Sequence, residues 1–66
     1  MRLSDFWARM AEAFGPDYAP SVARDQVIAQ LGGRTVIEAL DAGEPTIDVW
    51  RAVVAAFPDR IPAKLR

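Results

Sequence analysis

The run Leu31-Gly32-Gly33-Arg34-Thr35-Val36-Ile37-Glu38-Ala39-Leu40-Asp41-Ala42-Gly43 constrains the chain most, because it stops one helix and both starts and stops another. Glycine is the usual residue at the left-handed position that closes a helix. Thr35 followed three residues later by Glu38 matches a capping box, in which each side chain satisfies an orphan backbone donor of the other. The spacing predicts a short third helix over about 36–42, closed by Gly43. A chain punctuated this closely must build its core from short helices.

Three further helical patterns flank that run. Leu3, Phe6, Trp7, Met10, Ala11 and Phe14 share one stripe, with Asp5, Arg9 and Glu12 opposite. Ser4 is placed to cap this first helix, predicted over about 5–14, and Asp5 suits the positive end of its dipole. Gly15 and Pro16 stop it. Pro20 fits the first turn of a second helix, with Ala23, Val27, Ile28 and Leu31 as its buried stripe and Gly32 or Gly33 as its end. Pro45 opens a fourth helix with Ile47, Trp50, Val53, Val54 and Phe57 on one face and Val49 at its edge; Pro58 ends it. Both tryptophans lie on apolar stripes and are expected to be shielded, and Ile61 and Leu65 are placed to pack back on the bundle. No period-2 alternation is long enough for a strand. The reading is all-α: a compact bundle of four short helices forming one domain over 1–66, with a loose basic tail at about 59–66.

With 66 residues and neither Cys nor His, the chain lacks the two common staples of small domains, a disulfide and a structural zinc. A core of this size rarely supplies more than about 3–5 kcal/mol unaided, which leaves helix packing or a partner to hold the fold. No apolar run approaches the roughly 20 residues that span a bilayer. Met1 leads straight into a helix rather than a signal peptide, so the expectation is a cytoplasmic protein. The net charge of −1, with acids and bases interspersed, leaves no footprint for nucleic acid or an anionic membrane. Arg60, Lys64 and Arg66 against Asp59 give the tail a weak local bias of about +2.

The opening Met1-Arg2-Leu3-Ser4-Asp5-Phe6-Trp7, then Phe14-Gly15, Tyr18-Ala19, Ala23-Arg24-Asp25, Val27-Ile28, Leu31-Gly32-Gly33-Arg34-Thr35, Glu38-Ala39-Leu40, Ala42-Gly43 and Val49-Trp50-Arg51-Ala52-Val53 closely resemble a small actinobacterial family. It is the one termed domain of unknown function 3046, and the resemblance covers nearly the whole chain. It implies no activity and no catalytic residues. Members encoded near the principal recombinase and its small regulator imply a neighbourhood link to DNA repair.

For enzyme chemistry the inventory is poor, with Tyr18 and Lys64 the sole residues of their types and only carboxylates available as acid or base. Glu38 and Asp41 are spaced to share a side, as proton transfer or a hard cation would need, but Glu38 already has a capping role. The Gly-Gly-Arg-Thr run lacks the lysine and preceding strand of a phosphate loop. We therefore expect no catalytic residues, no cofactor, no metal and no enzyme. Ala39, Gly43 and Val49 are spaced as the small, turn and buried residues of a helix-turn-helix, whereas Glu44, Thr46, Asp48 and Arg51 make its second helix lean acidic, against phosphate binding. Arg24 falls between Leu31 and Ile28 on the wheel of the second helix, which asks for snorkelling or an interhelical carboxylate such as Asp5, Glu38 or Asp48. The fourth helix has a low-charge outer face of Asp48, Arg51, Ala52 and Ala55. The reading is a non-enzymatic module for protein interaction or regulation, with Arg24, Asp48, Arg51, Ala52 and Ala55 as candidate partner contacts. The alternative is a helix-turn-helix-like nucleic-acid binder.

Overall fold

Phe6, Met10 and Phe14 recur every fourth residue, and burying them together requires a helix. In the computed structural model, which describes residues 1–66, that helix is α1, Leu3–Phe14. It is followed by α2, Ala19–Asp25, α3, Val36–Asp41, and α4, Thr46–Ala56, with single 3-10 turns at Ala29–Leu31 and Ala63–Leu65. The architecture is the all-α bundle of four short helices read from the sequence. There is no strand; Ile28 and Arg34 form one isolated antiparallel bridge.

Helix α1 begins two residues earlier than predicted. Arg2 occupies the cap position without a side-chain bond, and the Phe6 N–H donates to Arg2 O, so Ser4 lies inside the first turn instead of capping it. The Thr46 hydroxyl donates to Met1 O and ties this start to the start of α4. Gly15, at φ 89°, reverses the chain after Phe14.

The second helix departs most from expectation, because it ends at Asp25 rather than running to Leu31. Ala19, Val22 and Ala23 are its buried face. Ile28 is nine residues beyond Ala19, about two and a half turns of α-helix, so an unbroken helix would aim it away from that face. Ending the helix lets both groups reach the core. Gln26 and Ile28 take extended backbone, the chain turns through Ala29–Leu31, and Gly32 and Gly33, both at positive φ, bring Arg34 back beside Ile28. Ile28 and Leu31 are buried, while Val27, expected in the stripe, is 66% exposed.

Helix α3 has the predicted capping box: Glu38 N–H donates to Thr35 Oγ1 at 3.1 Å and Thr35 N–H to Glu38 Oε1 at 2.9 Å. Arg34 fastens the preceding loop, donating from Nε to Leu31 O and from Nη2 to Glu44. Helix α4 is the hub, packed against α1, α3 and the turn at Ala29–Leu31. Val49, expected at the edge of its stripe, is fully buried, and Ala52, expected on the outer face, is buried too. Trp50 is sealed in, its indole edge-on to Phe6 at 6.0 Å; Trp7 is half-buried against the same ring.

The segment expected as a loose basic tail is packed, and through the two residues that the sequence placed against the bundle. Ile61 and Leu65 are core residues, Trp50 Nε1–H donates to Leu65 O at 2.8 Å, and Lys64 reaches Glu12 at 2.7 Å.

Candidate functional site

Five residues stood out from the sequence as candidate contacts, and the structure separates them. Asp48, Arg51 and Ala55 are exposed along one narrow stripe of α4, spaced three and four residues apart as a single helical edge requires. Ala52 does not join them, since it faces the core. That stripe carries one acid and one base and no apolar side chain larger than alanine.

Arg24 lies elsewhere, on the outer side of α2. No interhelical carboxylate meets it: its Nε is 3.4 Å from Asp25 Oδ1 and its Nη2 is 3.5 Å from Ser21 Oγ, with the Arg24 and Asp25 side chains 64% and 61% exposed. The expected partners Asp5, Glu38 and Asp48 play no part. The physical reason is the early end of α2: once Ile28 and Leu31 leave the helix, the buried face is Ala19, Val22 and Ala23, and Arg24 points away from it. The same break brings out Val27, which the sequence reading placed inside. Tyr18, just before α2, is also half exposed. The sequence signal for this region was the β-branched pair Val27-Ile28, which favours extended backbone over helix.

The other motifs serve the fold. Glu38 is committed to the Thr35 cap, and its carboxyl is held below the ordinary glutamate range. The Thr35 N–H it accepts is the main cause, followed by its bond with the Thr35 side chain; desolvation opposes this, and the charge of Arg34 adds to it. Asp41 is exposed at the end of α3, and no cluster of three or more metal-ligating side chains occurs. Gly32 and Gly33 make the turn described above. Ala39 and Val49 are buried and Gly43 has φ 86°, as a helix-turn-helix would place them. Yet Trp50, in the middle of the would-be recognition helix, is covered by the C-terminal segment. No helix is long and apolar enough to cross a membrane.

No curated protein and no solved structure matches the chain. A family profile does, over residues 1–64, that of the family described as protein of unknown function (DUF3046). The chain therefore belongs to the DUF3046 family, as its opening segment and its Gly-Gly-Arg-Thr junction suggested.

Proposed function

We propose that the chain is a non-enzymatic protein-interaction module that makes contact through the outer end of α2. One observation carries this reading: Val27, the most exposed of the large apolar side chains, follows three residues after an outward, mostly exposed Arg24 that lies beside Ser21 and Asp25. Arginine and aromatic residues dominate binding energetics, and the exposed Tyr18 immediately precedes the same helix. An exposed β-branched residue on non-helical backbone contributes nothing to the core, so its apolar surface is available to a partner. The Asp48, Arg51 and Ala55 stripe of α4 is the second candidate surface.

The helix-turn-helix reading keeps some support from the placement of Ala39, Gly43 and Val49. Against it stands the shape of α4, which offers a groove only one exposed edge with no net charge, whereas phosphate neutralisation dominates DNA affinity.

Affinity capture with the full chain tests the proposal. A defined partner should be held by the wild type and by Ala55→Glu, and lost by Val27→Asp and by Arg24→Glu. Loss in Ala55→Glu alone would move the contact to α4, and salt-sensitive retention on duplex DNA would favour the helix-turn-helix.

A further inference from the structure

We propose that residues 58–66 form a detachable strap, and that the seat between α1 and α4 that it occupies also accepts the same segment of a second copy of the chain. The way the segment is held points to this. Its backbone hydrogen bonds are local: Arg60 N–H donates to Phe57 O, Leu65 N–H to Pro62 O and Arg66 N–H to Ala63 O. The Arg66 guanidinium closes the turn further by donating to Ile61 O and Pro58 O. No backbone bond joins the segment to α1 or to the body of α4, so it carries its own local structure and can leave without opening a helix.

What fastens it is a short set of side-chain contacts. Ile61 and Leu65, four residues apart, are buried, and every other residue of the segment is exposed. Across the seat run the bond from Trp50 Nε1–H to Leu65 O, the pair of Lys64 with Glu12 on α1, and the Arg60 guanidinium over the Phe14 ring at 5.3 Å. The ion pair is exposed and contributes little. The core cluster has sixteen buried residues, of which the strap supplies Ile61 and Leu65. Opening the strap therefore exposes far less apolar surface than unfolding the bundle, as local opening units do, and it frees the side chains of Ile61, Lys64 and Leu65 from their fixed rotamers.

The occupant defines the chemistry of the seat: two apolar anchors four residues apart, a carbonyl at the second for the indole N–H, and a cation just before it for Glu12. A second copy meets this by identity, which is how exchange of an element between protomers arises at low cost.

Native-state hydrogen exchange on the full chain reads the opening directly. Corrected for intrinsic rates, Trp50 Nε1–H should exchange at least about tenfold faster than the Val53 amide, because strap opening exposes the first and only global unfolding the second. Equal protection overturns the proposal. In full-length Leu65→Ala the indole should exchange faster still while the Val53 amide stays the slower of the two. A synthetic peptide of residues 58–66, added in excess to that variant, should slow the indole again, and a scrambled peptide should not. No slowing, or equal slowing by both peptides, overturns the part of the proposal that concerns a second copy.

Discussion

Arg24 and Ala52 exchange the roles that hydropathy suggests for them. The arginine occupies an apolar stripe only if α2 is continuous, and it is not; the alanine looks like surface only if α4 has a free side there, and the helix is hemmed in at that side. Alanine carries no signal of its own, since it suits either face of a helix and has the best helix propensity. Truncating Arg24 to Ala should therefore shift stability by no more than about 0.5 kcal/mol, the usual range for surface positions. A larger drop in the urea midpoint would mean that the guanidinium packs on the bundle. The two alanines of α4 should behave oppositely. Ala52→Glu buries an unpaired carboxylate, at a cost of about 3 kcal/mol or more, which is most of what a core this small supplies. Ala55→Glu faces water and should leave the midpoint nearly unchanged. Circular dichroism of both variants decides it, and a folded Ala52→Glu would contradict the burial of that residue.

At the scale of elements, α3 was legible and α2 was not, and the difference is one of range. A capping box is a contact between residues three apart, so Thr35 and Glu38 announce the start of α3 with no knowledge of the rest of the fold. The end of α2 has only the weak signal of the β-branched pair Val27-Ile28, because it answers a tertiary demand: Ala19, Val22 and Ala23 on one side and Ile28 and Leu31 on the other cannot all be buried by one straight helix. Glycine at 32 and 33 marked a stop correctly, but it stops the 3-10 turn. Removing the cap by Thr35→Ala should cost about 1 kcal/mol, measurable by chemical denaturation. The cap should also titrate. Because the folded Glu38 carboxyl is depressed below its unfolded value, its contribution is fully present above the ordinary glutamate range. It declines as pH falls through that range and is lost below the folded value. Glu38→Gln removes this titration, so the stability advantage of the wild type over the variant should shrink on acidification. An advantage that grows at low pH would reverse the sign of the shift.

For the whole molecule, the surface charge tells most about partners, and most of the basic side chains already make a contact within the chain. Of the basic residues, Arg24 pairs with Asp25, Arg34 with Glu44 and Lys64 with Glu12. Arg9 and Arg60 lie over the rings of Trp50 and Phe14, and Arg66 is bonded to the carbonyls of Ile61 and Pro58. Arg2 and Arg51 are left, one near the chain start and one on α4. The tail, a weak basic bias in the sequence, is thus a fastening: Ile61 and Leu65 pack back on the bundle as expected, and Lys64 and Arg66 are bonded within the molecule. Counterion release by phosphate contacts needs several free cations on one surface, and with a net charge of −1 the long-range field does not steer DNA inward. Generic duplex DNA should accordingly bind no more tightly than about 10⁻⁴ M at physiological salt, the weak end of non-specific binding. Fluorescence anisotropy of a labelled duplex at low and physiological salt measures this. Sub-micromolar binding with a steep salt slope, abolished by Arg51→Ala, would establish α4 as a nucleic-acid contact and overturn the proposed contact at the outer end of α2.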